Sequence, residues 1–256
     1  MAHLASLWIG DSLGFIEQAS ARSFLAQGDQ LTIYSYDEVK NIPEGVINKD
    51  ARSILDTPTI IRHKKTGSPA LHSDLFRFAL MQRSDEIWVD LDIIALRPLD
   101  FPTPYVFAYE TPGVVNGAIL RLPKTSAALQ ELLKYDINYK GVPFHLTGWK
   151  KTKYEIRSFL TGGMSIDKWP WGSLGPLALT HFLKKTGEIE HALPISAFYA
   201  ISFLDVERFV IPGAITPSDI PEDAWAVHLW GKELRKIINE KYSKKIPQES
   251  FLKKYL

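Results

Sequence analysis

The chain has no cysteine among its 256 residues, which excludes disulfide bonds and thiolate metal sites. No apolar run approaches the ~20 residues that cross a bilayer, and no signal-peptide pattern opens the chain. It also lacks an excess of charge, since 30 Lys and Arg face 29 Asp and Glu. This balance gives no reason to expect nucleic acid as a partner. We therefore expect a soluble, cytoplasmic protein whose contact with a membrane is at most peripheral.

Hydrophobic periodicity predicts the order of the elements. Residues 4–9 and 31–34 are short apolar runs typical of strands, and residues 14–27 between them have helical spacing. Strand, helix and strand in this order predict a βαβ unit with a parallel sheet. A loop-rich stretch over 37–67 precedes a predicted helix over 68–83, where Ser68 and Pro69 form a favourable helix start.

The second half predicts strands over 105–109 and 114–122 and helices over 126–135 and 176–185. Between residues 138 and 153 the periodic pattern dissolves. Asn116-Gly117 is typical of a tight turn, although Asn116 could instead offer its amide to a ligand. Because no linker or repeat interrupts the chain, we predict one α/β domain over 1–256.

Two carboxylates follow a predicted buried strand over 87–89. In Asp90-Leu91-Asp92 the alternate side chains of an extended segment point the same way. Like charges this close are costly to bury unless a cation compensates them, and oxygen pairs of this kind hold hard divalent ions. The alternative is a strand end that enters solvent, where both acids are simply hydrated.

Asp74 and Arg77 lie three residues apart on the predicted helix and therefore share a face. Leu75, Phe76 and Phe78 make this helix apolar nearly all round, so we expect it to be buried, with its two charges facing a polar cavity. The alternative is a surface ion pair.

Four segments together resemble the DXD-motif sugar transferase family, which includes α-1,4-galactosyltransferases, yeast initiating α-1,6-mannosyltransferase and bacterial surface-polysaccharide enzymes. They are residues 73–80, 87–99, 171–180 and 227–230. The resemblance implies a GT-A fold, with a Rossmann-like, mostly parallel mixed sheet flanked by helices. It also implies a nucleotide-binding half over about 1–100, an acceptor-side half over 101–230 and a basic C-terminal helix over 231–256.

The resemblance further implies a site. Asp90, Asp92 and His228 would hold Mn²⁺ or Mg²⁺, and an imidazole ligand favours Mn²⁺; otherwise His228 is a polar core residue. Asp74, Arg77 and Asp90 would bind the sugar donor, with Trp230 near its diphosphate. The set of catalytic residues is then Asp90, Asp92, Asp74, Arg77 and Trp230. Further donor contacts are expected from Asn116, Gly175 and two aromatics at strand ends, Trp8 and Tyr34, both of which could equally be core residues.

The implied reaction is transfer of a hexose, with retention of anomeric configuration, from a nucleotide-diphosphate sugar. We expect UDP-galactose or another UDP-hexose as donor and a glycan or glycolipid as acceptor, in cytoplasmic synthesis of a bacterial surface polysaccharide. Asp167 is the best positional candidate for a protein nucleophile, although same-face attack needs none. The tail from Gly231, with eight Lys or Arg against three Glu, could contact anionic lipid at the inner face of a membrane.

Two other functions remain open from the sequence. A non-catalytic nucleotide-sugar-binding domain would bind the donor without turnover. A nucleotide-sugar phosphohydrolase would hydrolyse the nucleotide sugar without an acceptor, but such enzymes normally cluster more carboxylates or histidines than this chain displays.

Overall fold

A computed structural model describes residues 1–256. The chain begins with strand β1 (His3–Trp8), helix α1 (Phe15–Ala26) and strand β2 (Gln30–Ser35), and β1 and β2 pair in parallel. Strand β3 (Ile47–Asp50) adds a parallel edge beside β2. This strand lies within the stretch that was predicted to be a loop. It was not predicted because three of its four side chains are exposed and no apolar alternation marks it.

Helix α2 (Ala70–Arg83) leads into strand β4 (Ile87–Val89), which pairs in parallel with β1. Strand β5 (Ile93–Ala95) follows, and then β6 (Val106–Thr111) and β7 (Val114–Arg121) form an antiparallel hairpin. The six-stranded sheet has the order β3-β2-β1-β4-β7-β6. The predicted fold class, a mostly parallel mixed sheet flanked by helices, is confirmed.

The predicted turn at Asn116-Gly117 is wrong, since both residues lie inside β7. The hairpin reverses earlier, between β6 and β7, where Gly113 has a φ of 77°. Glycine adopts this left-handed conformation without steric cost, whereas Asn116 is paired with Ala108 of β6 and Gly117 continues the same strand.

Helices α3 (Ala127–Leu132) and α5 (Pro176–Thr186) pack with α2 on one face of the sheet, around a core that includes Phe76, Trp88 and Leu179. Pro176 starts α5, and Gly187 ends it with a φ of 80°, as its sequence predicts. Helix α1 covers the other face with a second core that includes Leu4, Phe24 and Ile33.

Helix α4 (Gly148–Leu160) was not predicted, and none of its residues is buried. Strand β8 (Ala226–His228) and helix α6 (Gly231–Lys241) complete the regular elements. The predicted helix over 231–256 is therefore too long. Ser243 and Lys244, with φ of 49° and 64°, turn the chain away and end the helical path. None of the helices combines the length and apolarity that a bilayer crossing requires.

Candidate metal and donor site

Three metal-ligand side chains converge where β4, β5 and β8 meet. Asp90 follows β4, Asp92 precedes β5, and His228 ends β8, which pairs antiparallel with β5 so that Ile93 lies opposite His228. The ligand atoms of Asp90, Asp92 and His228 all lie within 4.8 Å of one another. Pairing of two strands that are far apart in sequence therefore builds the cluster.

Asp92 is held from both sides. Its Oδ1 lies 3.3 Å from His228 Nε2, and its Oδ2 accepts a hydrogen bond of 2.8 Å from the Gly231 N–H at the start of α6. A Cβ at Gly231 would lie 2.9 Å from the Asp92 Cβ, closer than ordinary van der Waals contact. Glycine is thus required for this approach, and the N-terminal end of α6 favours a negative charge there.

Trp230 makes the turn between β8 and α6 in a left-handed conformation, with φ 55° and ψ 51°. A non-glycine residue in this region is strained by roughly 1–2 kcal/mol. Its ring centroid lies 4.2 Å from that of His228, nearly perpendicular to it. The strained turn therefore places an aromatic ring directly on the candidate metal ligand.

Arg77 joins α2 to the same cluster. Its Nη1 donates to the Gly117 carbonyl at 2.8 Å, and its Nη2 lies 3.4 Å from Asp90 and 3.6 Å from Asp74. The guanidinium also covers the ring of Trp88 at 4.8 Å. Trp88 in turn donates its Nε1–H to Asp90 at 2.7 Å. Arg77 thus lies between the two carboxylates; it lines a cleft together with Asp90, whereas Asp74 lines a separate cavity.

Burial has the largest influence on the pKa of two of these carboxyls, those of Asp74 and Asp90. It raises the pKa of Asp74 to about 6 despite the nearby Arg77. It also raises the pKa of Asp90, with Arg77 opposing that rise and Asp92 adding to it. Desolvation acts on Asp92 too, but His228 and the Gly231 N–H outweigh it and lower the pKa of Asp92 to about 2.

Although burial acts to lower the pKa of His228, the charge of Asp92 raises it above its ordinary value. The cluster thus attracts positive charge, which a divalent cation would also supply. Two carboxylates and one imidazole are a suitable donor set for Mn²⁺. Ligand atoms at roughly 2.1 Å from one ion lie about 4.2 Å apart across it, so the observed spacing fits after a small closure.

A cleft of about 350 Å³ is lined by Asp90 and Asp92, whereas His228 and Trp230 do not line it. Trp8 lines it together with Arg77, Asp90 and Asp92, and the buried Nε1–H of Trp8 has no hydrogen-bond partner. Trp8 therefore lines the cleft with its ring, whereas its Nε1–H is buried away from the cleft's solvent.

Tyr34 is not brought to the cleft. Its ring packs against Phe76 at 5.5 Å, and its hydroxyl donates to Glu86 at 2.9 Å. Strand alternation directs this side chain into the core beneath α2. The expectation of a donor contact at Tyr34 is thus not supported, and the alternative of a core aromatic describes it.

Asn116 and Gly175 lie beside the site in different ways. The Asn116 amide donates to Glu110 at 2.6 Å and its oxygen accepts from the Ala118 N–H, so its polar atoms are already engaged. A Cβ at Gly175 would lie 3.2 Å from an Asp74 oxygen. Gly175 therefore permits close packing of the α5 start against Asp74.

Sequence reasoning missed an ion pair that lines the cleft. Arg235 of α6 donates to Glu17 of α1 at 2.6 Å, and the Glu17 side chain is only 4% exposed. The sequence signal is a lone carboxylate beside Phe15 and Ile16 on an otherwise apolar turn. Arg235 thus adds a cation next to Asp92, within reach of the same cleft.

Two further cavities lie near the site, and Asp74 lines the first of them. The first, of about 140 Å³, is lined by Asp74, Gly175, His63 and Trp171 among others. The second, of about 550 Å³, shares His63 and Trp171 with it and is strongly basic. Asp167 lies in the second cavity and does not line the cleft of Asp90.

No family model matches the chain. It is similar to lactosylceramide 4-alpha-galactosyltransferases, with 26% identity over 175 residues that cover 63% of this chain. The match spans 67% of the Pongo pygmaeus protein but 41% of the Homo sapiens and Pan troglodytes proteins. The chain therefore matches less than half the length of those two relatives. This distant similarity supports a relationship to glycosyltransferases.

Proposed function

We propose that the protein is a metal-dependent retaining glycosyltransferase that moves a hexose from a UDP-sugar, with UDP-galactose first among them, to a glycan or glycolipid. The observation that carries the proposal is the convergence of Asp90, Asp92 and His228 within 4.8 Å, with Asp90 and Asp92 lining a cleft and His228 buried behind them. The names of the relatives support galactose as the sugar and a glycolipid as the acceptor.

Mn²⁺, or Mg²⁺, held by Asp90, Asp92 and His228 would supply Lewis-acid stabilisation for the diphosphate that departs. Arg235 faces the same cleft and would neutralise further phosphate charge, while Glu17 fixes its orientation. Trp230, whose ring contacts His228, would then lie near the diphosphate.

The sugar would lie toward α2. Asp74 accepts hydrogen bonds from its hydroxyls when ionised, and Arg77 donates to them or holds Asp90 in place. Trp8, at the end of β1, lines the cleft and would offer a ring face to the nucleotide base.

We propose same-face attack for the retention of configuration. A double displacement needs a carboxylate next to the anomeric carbon. Asp167 lines the neighbouring basic cavity instead of the cleft, and Asp74 and Asp90 are already assigned to donor and metal. The leaving phosphate would then take the acceptor's proton.

The setting that we propose, cytoplasmic synthesis of a bacterial surface polysaccharide, follows from the family resemblance alone. It has no bearing on the chemistry of the cleft.

Isothermal titration with UDP-galactose, UDP-glucose and UDP tests the donor and metal assignments. We expect binding that strengthens at least tenfold with Mn²⁺ and is lost in Asp92→Asn, because the carboxylate and the diphosphate share the ion. Asp85→Asn, at a side chain that is 94% exposed, is the matched control and should bind as the wild type does. Binding that is indifferent to manganese, or unchanged in Asp92→Asn, would contradict the proposal.

Product analysis then separates transfer from its rivals. Extension of lactosylceramide or another galactose-terminated acceptor favours a transferase. Release of sugar phosphate and UMP at the same rate with and without acceptor would instead identify a phosphohydrolase, and donor binding without any product would identify a non-catalytic domain.

A further inference from the structure

Helix α4 carries its large apolar side chains on the surface. Trp149, Ile156, Phe159 and Leu160 are 77%, 54%, 88% and 75% exposed, and none of the 13 residues of the helix is buried. At 3.6 residues per turn, Trp149, Ile156 and Leu160 fall on one line along the helix, with Phe159 beside it. They form one continuous patch, which we call the α4 face.

The α4 face points away from the protein. Tyr154, which lies on another side of the helix, is the residue that packs against the core. A contiguous exposed patch of large apolar residues marks a contact surface in most proteins.

Positive charges flank the α4 face. The helix carries Lys150, Lys151, Lys153 and Arg157 and a single acid, Glu155, whose charge is paired with Lys151 at 3.7 Å. Lys64, Lys65 and Lys168 line the basic cavity that Tyr154 and Arg157 help to form. The rim of the patch is therefore strongly cationic.

We infer that α4 lies in the interface of a bilayer that contains anionic lipid. Tryptophan, phenylalanine and leucine on one face with lysines and arginine beside them are the features of helices that bind in the plane of the headgroups. Each basic residue near such a surface adds electrostatic attraction. The docked occupant is the lipid surface itself.

A second copy of the chain fits the α4 face less well. A symmetric contact would oppose the two cationic rims, and stable interfaces bury about 800 Å² on each partner, more than one face of a short helix offers. The basic C-terminal helix, expected from the sequence to make a membrane contact, is also a poorer candidate, because Leu234 and Ile238 of α6 are buried in the core.

The position of α4 would place the membrane beside the site. Tyr154 and Arg157 line the basic cavity that shares His63 and Trp171 with the cavity of Asp74. An acceptor anchored in the bilayer could then enter along this path. This last step rests on the proposed function, whereas the docking of α4 does not.

Flotation of the full chain with lipid vesicles tests the docking without any measurement of transfer. We expect binding to phosphatidylcholine vesicles that contain phosphatidylglycerol, and at least tenfold weaker binding to phosphatidylcholine alone. Phe159→Ser with Leu160→Ser should lower binding at least tenfold, and so should Lys150→Glu with Lys153→Glu. These side chains are exposed, so circular dichroism and thermal unfolding should match the wild type.

Matched control variants lie elsewhere on the surface. Leu204→Ser changes a leucine that is 91% exposed, and Lys232→Glu with Lys236→Glu makes the same charge change on α6; all should bind vesicles as the wild type does. Absence of vesicle binding by the wild type, or equal loss in the α6 variants, would overturn the inference. So would a stable dimer in sedimentation that Phe159→Ser dissociates while vesicle binding persists.

Discussion

Helices α4 and α6 resemble each other in sequence and differ in where the fold places them. Both combine lysines and arginine with apolar residues at helical spacing. In α6, Leu234 and Ile238 are buried, and the first N–H of the helix binds Asp92. In α4 no residue is buried. The same sequence pattern thus packs against the core and the candidate site in α6, whereas in α4 it lies at the surface.

The difference follows from what precedes each helix. β8 ends only two residues before α6 and is paired with β5, so α6 starts at a fixed position beside Asp92. The chain before α4 has no such strand and runs through an irregular segment after α3. Periodicity therefore identifies an apolar face, but the segment that leads into the helix, and whether it is paired in a sheet, decides what that face contacts.

Truncating one leucine on each helix should sharpen this contrast most. Leu234→Ala removes a fully buried side chain and should lower the free energy of unfolding by about 2–5 kcal/mol. Leu160→Ala, at a residue 75% exposed, should change it by less than about 0.5 kcal/mol. Urea denaturation measures both, and similar losses would mean that α4 is packed like α6.

An ion pair on each helix offers the next test. Arg235→Ala leaves the buried Glu17 without its partner and should lower the free energy of unfolding by about 3 kcal/mol. Lys151→Ala breaks the exposed pair with Glu155 and should cost less than about 0.5 kcal/mol. Chemical denaturation at neutral pH compares them. Equal costs would show that water reaches Glu17 as freely as it reaches Glu155.

Asp74 lies between the cleft and the cavities that lead toward α4, and its ionisation should make stability depend on pH. Burial raises its pKa to about 6, above the unfolded value near ~4. The folded state binds the proton more tightly, so this stability is present below pH ~4 and is lost as pH rises through about 6.

Asp74→Asn removes that loss. The free energy of unfolding of the variant, relative to that of the metal-free wild type, should increase as pH rises from ~4 to ~7, by up to about 3 kcal/mol. Denaturation curves across this range measure the difference. A gap that stays constant with pH, or that closes as pH rises, would show that Asp74 is not the group responsible.

The first residue of both α4 and α6 is a glycine. Substitution of these glycines should give the smallest of the four expected effects. Gly231→Ala places a Cβ 2.9 Å from that of Asp92 and should lower Mn²⁺ affinity roughly 10- to 100-fold, because Asp92 must move. A Cβ at Gly148 meets nothing within 4 Å. Gly148→Ala should therefore cost only backbone strain and leave calorimetric metal affinity unchanged. Wild-type affinity in Gly231→Ala would contradict the role of this close approach.

Part of the architecture was predictable because local periodicity reports it. The apolar run before Asp90 and the nearly all-apolar α2 predicted a buried strand and a buried helix, and both are present. β3 escaped prediction because its side chains are mostly exposed. The turn predicted at Asn116-Gly117 was wrong, because these residue types are typical of turns but here lie in β7, where Asn116 pairs with Ala108 of β6.

The candidate site shows the same division. Alternation in an extended segment predicted that the carboxylates of Asp90 and Asp92 share one side, whereas in the structure a turn at Leu91 and Asp92 between β4 and β5 brings them together. Only the family resemblance associated His228 with them. Tyr34 was predicted from its place near a strand end, but strand alternation directs it into the core. The pair of Glu17 and Arg235 joins residues 218 positions apart, and no local pattern reports a contact of that kind.

The sequence by itself determined the strands and helices that have a marked apolar periodicity, such as β1, α1 and α2, and which residues carry charge on apolar elements, because these depend on neighbours a few positions away. Tertiary structure alone decided which of two similar helices would close the core, and which carboxylate would meet an imidazole from the far end of the chain. Such contacts arise when strands that are distant in sequence pair, as β5 and β8 do here.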